Sequence, residues 1–432
     1  MKRVPTDSHH RLSHFRSVST LAASVSAFLL CVLGMSIGSA QNNQPIAGIE
    51  IDAAGVLKMK QLDGRLNLAR IAAAKASMDA DLGRSSDMRK VSINRLEASL
   101  AQRIENGQSA DDAMMAMAGL TSIEYVFYYP ETKDIVVAGP AEGFFADPTG
   151  RVRGVDTGRS TILLEDVVTA LRAYAPGQPA TSTISVSIDP TKEGLQRMQQ
   201  FLMRVGGNAS RGQTQQIVAG LKNNLGLQTV TFKGVPSDTN FARVLVEADY
   251  RMKLIGIGLE RPPVRIAAYV DRAQAGAVAA NAMERWYFEP NYKAITASPD
   301  GLAIRLTGDG VKLVGAGERV GANGQRTGMG KQNRASKMFT SEFTKRYPQL
   351  ADRVPVYGQL RNLMDVAIAA AYIQQADFYT QSGWDLGVLG DEDQYSVCRF
   401  DAPQQVETAV NAIWRGNTLM TPLGGGVSIR PS

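Results

Sequence analysis

Residues 183–190, with the sequence TISVSIDP, decide the fold class because a strand pattern passes there directly into a helix signal. Alternate residues from Ile184 to Ile188 are apolar, which is the period of a β-strand with one buried face. Asp189 and Pro190 then offer a helix N-cap and a first-turn proline, and apolar residues follow at helical spacing. This succession predicts an α/β or α+β fold with mixed sheets and flanking helices.

Similar patterns predict further helices and strands along most of the chain. Helices are expected at residues 65–82, 91–105, 109–117, 164–174, 213–224 and 336–346, and after Ser237, Pro355 and Pro403. Strands are expected at residues 46–51, 227–232 and 264–270, with a hairpin formed by 122–129 and 134–138. The two kinds of element are interspersed, as in a mixed α/β chain.

Two stretches with many glycines follow the middle of the chain. Residues 293–297, 302–306 and 311–314 have strand composition and are separated by turn residues, which predicts a β-meander of three short strands. Residues 315–330 hold six glycines, and most of their neighbours are polar. This composition predicts a flexible loop or a domain boundary.

The length of 432 residues and the hydrophobic content of 44% predict two or three globular domains. We expect a signal peptide at 1–40, an N-terminal α+β domain at 41–180 and a middle α/β domain at 181–314 that ends in the meander. A glycine-rich linker or loop at 315–334 would then lead to a mostly helical region at 335–432.

The first 40 residues have the three parts of a secretory signal peptide. A basic start with Lys2 and Arg3 precedes an apolar run over residues 21–33, and small residues lead to Ala40. An uncleaved signal anchor is the alternative, because the apolar run approaches the length of a membrane span. We therefore expect an exported protein, periplasmic or extracellular, with no membrane span after cleavage.

Cleavage after Ala40 would remove all three histidines and leave Cys398 as the one cysteine. Catalytic Ser-His-Asp and Cys-His arrangements, and metal sites built on His or Cys clusters, would then lack their side chains. No metal and no cofactor are expected. Part of the net charge of +6 belongs to the signal segment, so nucleic acid is not an expected partner. Cys398 follows an alternating pattern, which favours a small buried side chain in a strand over a reactive thiol.

Residues 283–292, with the sequence MERWYFEPNY, are the densest mixture of aromatic and charged side chains. Trp286, Tyr287 and Tyr292 could form a ligand-binding platform for a sugar or a peptide chain, because aromatic rings bury a large area at low entropic cost. The alternative is that these rings pack in the core beside the meander.

Glu284 and Glu289 in the same segment are candidates for a catalytic carboxylate pair. Glycoside hydrolysis needs two carboxylates at a defined separation and requires no histidine. A carboxylate-based hydrolase that acts on glycans is therefore the alternative function.

Seven segments together are similar to a known family. They are EYVFYYP at 124–130, DIVVAGPAEG at 134–143, LEDVVTALR at 164–172, SIDPTKEG at 187–194, WYFEP at 286–290, YGQLRNL at 357–363 and PLGGGV at 422–427. The set resembles a bacterial family of secreted proteins catalogued only as a domain of unknown function. The resemblance spans most of the mature chain, implies export and a shared fold, and assigns no catalytic residue.

The leading expectation is a non-enzymatic envelope or extracellular protein that serves in binding or assembly, with a protein or a glycan as its partner. This choice rests on three observations: the mature chain has no histidine, no metal-binding cluster and no nucleotide-binding motif. A binding protein should show an exposed aromatic or apolar surface, whereas a hydrolase should bring two carboxylates together in a concave pocket.

Overall fold

The computed structural model describes residues 46–62, 67–206, 210–273, 282–328, 332–411, 413–415, 418–420 and 427–429. This part of the chain contains sixteen strands: β1 (Ile46–Ile51), β2 (Val56–Leu62), β3 (Ser86–Ser92), β4 (Tyr125–Tyr129), β5 (Asp134–Ala141), β6 (Phe144–Ala146), β7 (Val152–Gly154), β8 (Ile184–Pro190), β9 (Gln228–Lys233), β10 (Ala282–Ala297), β11 (Ala303–Val320), β12 (Arg326–Gly328), β13 (Gln405–Val406), β14 (Ile413–Arg415), β15 (Thr418–Met420) and β16 (Val427–Ile429).

Twelve α-helices lie within the same ranges. They are α1 (Asn67–Ser77), α2 (Ala80–Gly83), α3 (Ile93–Glu105), α4 (Asp112–Met115), α5 (Leu164–Ala173), α6 (Lys192–Val205), α7 (Thr214–Leu225), α8 (Asn240–Gly256), α9 (Tyr269–Arg272), α10 (Arg334–Arg353), α11 (Pro355–Gln375) and α12 (Phe378–Ser382). Among these helices none is long and apolar enough to cross a membrane.

Twelve of the strands form one sheet. Its order is β1-β2-β13-β9-β8-β16-β10-β11-β4-β5-β3, with β12 paired to β11. Strand β13 runs parallel to β2, and β16 runs parallel to β10, whereas the other pairs are antiparallel. The predicted mixed sheets with flanking helices are confirmed.

Side-chain alternation gives the sheet two different faces. On β10, Trp286 and Phe288 are fully buried, whereas the side chains of Arg285, Tyr287 and Glu289 between and beside them are half-buried. Helices α5, α8, α10 and α11 pack together on the buried side and share one apolar core with the strands. We call this side the inner face and the opposite side the outer face.

The predicted meander is wrong, because β10 and β11 are two long strands that pair over nearly their whole length. Residues 307–310, expected to form a turn, stay within β11 and lie opposite register shifts at Tyr292. Gly310 has a φ of +77°, a conformation that glycine adopts without strain. The glycines therefore accommodate a β-bulge and do not reverse the chain.

The glycine-rich stretch after the meander also begins as strand, since β11 continues to Val320. A Cβ atom on Gly315 would lie 2.1 Å from Nε2 of Gln332 and 3.1 Å from Oγ of Ser336. Glycine is used here because α10 approaches the strand closely. Within the described residues, the expected loop is thus confined to the turn between β11 and β12 and to residues 332 and 333.

Three other local predictions are wrong. Residues 264–270, expected as a strand, contain no strand and lead into the short helix α9. Pro403 does not open a helix, because residues 403–411 contain only the short strand β13. Cys398 lies in neither a helix nor a strand, and its side chain is exposed, not buried.

The large sheet draws strands from each of the three predicted regions. Strands β1 to β5 come from residues before 180, β8 to β10 from the middle region, and β13 and β16 from the last. The domain boundaries proposed from the sequence remain predictions.

Candidate functional site

A concave groove of about 840 Å³ lies on the outer face of the sheet, across β8, β10 and β11. Its lining comprises Thr181, Ser182, Thr183, Ser185, Val186, Ser187, Lys233, Gly234, Arg285, Tyr287, Glu289, Ala316 and Glu318. We call it the outer groove. Five of its side chains are hydroxyls of serine or threonine, which can both donate and accept hydrogen bonds.

The serines of the groove follow from strand alternation. On β8, Ile184, Val186 and Ile188 are buried in the core, so Ser185 and Ser187 lie on the outer face, half-buried. The polar positions of the alternating pattern at 183–190 therefore supply the floor of the groove. That pattern predicted the strand, and it could also have indicated these two serines as candidate ligand contacts.

An ion network forms the end of the groove near the start of β10. Arg326 lies 2.6 Å from Asp189 and 2.7 Å from Glu318, and Arg285 lies 3.7 Å from each of the same two carboxylates. Burial alone would raise the pKa of Asp189, but the hydrogen bond from Arg326 and the charge of Arg285 outweigh it and lower that pKa. The network pairs two arginines with two acids and links β8, β10, β11 and β12.

Two of the sequence-predicted residues, Tyr287 and Glu289, lie in the outer groove. They share the outer face of β10, and their partners across β11 are Val314 and Lys312. A carboxylate oxygen of Glu289 lies 3.4 Å from Nζ of Lys312, with both groups partly exposed. The groove thus contains one aromatic ring from the predicted platform and one acid from the predicted pair.

Trp286 does not belong to an exposed platform, because its side chain is 0% exposed. Its indole N–H donates a hydrogen bond of 2.8 Å to Oγ of Ser336. The ring packs against Tyr269 and Phe339, with centroid separations of 5.3 and 4.9 Å. Strand alternation points this ring into the core, as the alternative for this segment proposed.

Tyr292 also lies apart from Tyr287. Its hydroxyl donates a hydrogen bond to Oδ1 of Asp365 on α11. The other carboxylate oxygen of Asp365, Oδ2, accepts from the backbone N–H of Ile123 at 3.3 Å. Burial raises the pKa of Asp365 to about 6, although Arg361 and the Tyr292 hydroxyl oppose that shift. The register shifts in β10 at Tyr292 separate this ring from the alternation that places Tyr287 in the groove.

The two candidate catalytic carboxylates lie on opposite faces of the sheet. Glu284 is buried on the inner face, where it accepts a hydrogen bond from the side chain of Asn333. Burial raises the pKa of Glu284. Glu289 faces outward in the groove. The two residues are an odd number of positions apart on one strand, and side chains alternate between the faces, so they must lie on opposite sides. They cannot flank one glycosidic bond as a pair.

The outer face carries a second set of rings, outside the groove. Tyr125, Phe127 and Tyr129 alternate on β4 and are half-buried, whereas Val126 and Tyr128 between them are buried. Adjacent rings of the outer set have centroids 5.5 and 5.9 Å apart. Lys90 lies over the rings of Phe127 and Tyr129, and Arg305 lies over that of Tyr125, so this set is engaged by cationic side chains of the protein itself.

The comparisons with known proteins bear on part of this architecture. Residues 186–269 match the family described as "Protein of unknown function (DUF1598)". The matched segment runs from β8 to the start of α9 and includes Ser187, Lys233 and Gly234 of the outer groove. The resemblance to a family catalogued only as a domain of unknown function is therefore confirmed over that segment.

Neither the comparison with curated proteins nor that with solved structures found a match. Within the described ranges, no group of three or more His, Cys, Asp or Glu side chains is placed to hold a metal ion.

Proposed function

We propose that this protein is an exported, non-enzymatic binding protein of the cell envelope or extracellular space, and that the outer groove binds an uncharged glycan. The observation that carries the proposal is the lining of the groove, which combines five hydroxyl side chains with the ring of Tyr287. Binding sites hold polar ligands with a few placed hydrogen-bonding groups and an apolar surface.

The charges in the groove favour a neutral ligand over a polyanion. Lys233 and Arg285 are matched there by Glu289 and Glu318, so the lining has no excess of positive charge. A nucleic-acid surface neutralises phosphates with an excess of lysine and arginine. A sugar chain, which is rich in hydroxyls and has apolar ring faces, fits the groove better.

The proposal of export rests on the N-terminal segment. A basic start, an apolar run and small residues before Ala40 are the parts of a secretory signal. This segment lies outside the described residues, and N-terminal sequencing of the recovered protein tests whether it is cleaved.

The experiment is a binding titration with the protein purified from cells that express the full chain. The probes are the tetramer of N-acetylglucosamine and cellotetraose, two uncharged glycans. We expect saturable binding of at least one of them by isothermal titration calorimetry. Tyr287→Ala should weaken it about 10-fold or more, because a ring that stacks on the ligand is lost.

Tyr125→Ala is the matched control, because it removes another half-buried tyrosine from the outer face but lies outside the groove. It should leave the affinity unchanged. Failure of both glycans to bind, or equal binding by the wild type and Tyr287→Ala, would contradict the proposal. Release of shortened sugars during the titration would contradict its non-enzymatic part.

A further inference from the structure

A second, more enclosed cavity of about 380 Å³ is lined by β1, β2, the segment 148–151 and the N-terminal parts of α5, α8 and α11. Its lining includes Thr149, Arg151, Glu165, Asn240, Arg243, Glu247, Gln359 and Phe400. We call it the arginine pocket. It shares no lining residue with the outer groove.

One of the two arginines in this pocket is fully occupied by protein groups. Arg151 donates from Nε to the side chain of Gln359 at 2.8 Å, from Nη1 to Thr149 at 3.1 Å, and from Nη2 to Glu247. Glu247 also lies 3.8 Å from Arg251. This buried chain of alternating charges is structural, and it fixes one wall of the pocket.

Arg243 differs from Arg151, because its guanidinium has no hydrogen bond or ion pair to any residue that the structure describes. Its carbon Cζ lies 4.2 Å from the centroid of the Phe400 ring. Such stacking holds a guanidinium in place by its flat face and leaves the N–H groups at its edge available. Arg243 is half-buried, and burial lowers its pKa.

Two acids of the lining act on the charge of Arg243, Glu247 more strongly than Glu165. Glu247 is paired with Arg151, and neither acid forms an ion pair with Arg243. Burial raises the pKa of Glu165 to about 7, although the charge of Arg243 and the backbone N–H of Cys398 oppose that shift. Asp166, whose carboxylate accepts from Asn240 at 3.1 and 3.2 Å, has its pKa raised by burial and by Glu165. Near neutral pH the carboxyl group of Glu165 is therefore partly protonated.

Two helices begin at the same cavity. Glu165 and Asn240 lie in the first turns of α5 and α8, whereas Gln359 is the fifth residue of α11 and lies beyond its first turn. The first turn of a helix has unpaired N–H groups and a partial positive charge, and both attract an anion. The first turn of α8 contains no acidic side chain that would cancel this effect, whereas that of α5 contains Glu165 and Asp166.

From these observations we infer that the arginine pocket is a binding site for a small organic carboxylate, with Arg243 as its anchoring cation. The planar guanidinium matches a carboxylate through two parallel N–H···O bonds. Asn240 and Gln359 supply amide groups for the remainder of the ligand, and the volume admits only a small molecule. The site goes beyond the proposed glycan groove and does not depend on it.

The experiment is a calorimetric titration of the full chain with acetate, succinate and inorganic phosphate at one ionic strength. Succinate or acetate should bind. Phosphate should bind at least about 10-fold more weakly, because it places close to two negative charges on one group beside Glu165 and Glu247, whereas a carboxylate group has one. Arg243→Met keeps the length of the side chain and removes its charge, so it should abolish the binding. Arg243→Lys keeps the charge without the planar fork and should weaken binding about 10-fold.

Arg305→Met is the matched control, because Arg305 also stacks on a ring, that of Tyr125 at 5.5 Å, but is exposed on the outer face. It should bind carboxylate as the wild type does. No binding of either carboxylate, preferred binding of phosphate, or binding that persists in Arg243→Met would each overturn the inference. Circular dichroism of the two Arg243 variants establishes that they are folded before the titration.

Discussion

Two neighbouring residues show how the strand decides what each side chain can do. Trp286 is buried against Tyr269 and Phe339, whereas Tyr287 lies in the outer groove. Both are aromatic, and the composition of their segment alone predicts that they share one ligand-binding platform. The period of two along β10 separates them, so Trp286 packs in the core and Tyr287 lies in the lining of the outer groove.

Trp286→Ala should therefore destabilise the protein far more than Tyr287→Ala. Loss of a fully buried tryptophan costs about 3–5 kcal/mol, whereas truncation of the half-buried Tyr287 should cost about 1 kcal/mol. Urea unfolding followed by circular dichroism measures both differences. Equal losses for the two variants would show that the assignment of faces on β10 is wrong.

Glu165 should make stability depend on pH in a defined direction. Its pKa is about 7 in the folded state and near 4.5 without the fold. Between these values the folded state keeps a proton that the unfolded state has released, so the group's contribution to stability falls as pH rises. Glu165→Gln removes this titration, and the variant should gain up to about 3 kcal/mol relative to the wild type as the pH rises from about 4.5 to about 7.

The measurement is urea unfolding of the wild type and Glu165→Gln at a series of pH values. Glu131→Gln, in the exposed turn between β4 and β5, is the control and should show no such trend. A difference between Glu165→Gln and the wild type that is constant with pH would contradict the burial of this carboxyl group.

At the scale of elements, local patterns predicted most helices and the strands that alternate clearly. Helix α11 begins at Pro355 as expected, and β8 contains the alternation at 184–188. No local pattern predicts residues 282–297 as one strand, because the segment contains Pro290 and several charges. Its strand conformation depends on pairing with β11, which a local pattern does not report.

Strand β16 is the clearest case of an element that long-range pairing creates. Its three residues pair with β8 on one side, and Val427 pairs with Phe288 of β10 on the other. Deletion of residues 427–432 would expose the facing edges of β8 and β10. We expect a loss of about 2 kcal/mol or more and a tendency to aggregate, because unpaired strand edges pair with other chains.

Thermal unfolding and light scattering measure these two effects. Deletion of residues 430–432 alone is the control, since it leaves β16 complete. If the longer deletion unfolds at the same temperature as the control, β16 does not contribute to the sheet as described.

At the scale of the whole molecule, the sites depend on contacts between distant parts of the chain. The arginine pocket joins Arg151 to Gln359, and the outer groove joins β8 to β10 and β11. The sequence indicated Tyr287 and Glu289 because their segment is locally dense in aromatic and charged residues. It could not indicate Arg243, because a lone arginine on a helix acquires its role only from Phe400 and the cavity around it.

Export is also a property of the whole molecule. We expect N-terminal sequencing of the protein recovered from the periplasm or the medium of expressing cells to begin at Gln41. Recovery of the working form with residues 1–40 attached would contradict cleavage and restore the three histidines to the mature chain. Replacing the apolar run at 21–33 with polar residues should retain the protein in the cytoplasm.

The central claim is that the outer groove is the ligand site, and hydrogen exchange with bound glycan tests it most directly. The full chain is compared with and without a saturating concentration of whichever of the two glycans, the tetramer of N-acetylglucosamine or cellotetraose, binds in the titration. Bound glycan should slow backbone amide exchange at residues 181–183 and at Gly234, which line the groove. Exchange around Tyr125 should be unchanged. Unchanged exchange at the groove, or protection confined to other segments, would contradict it.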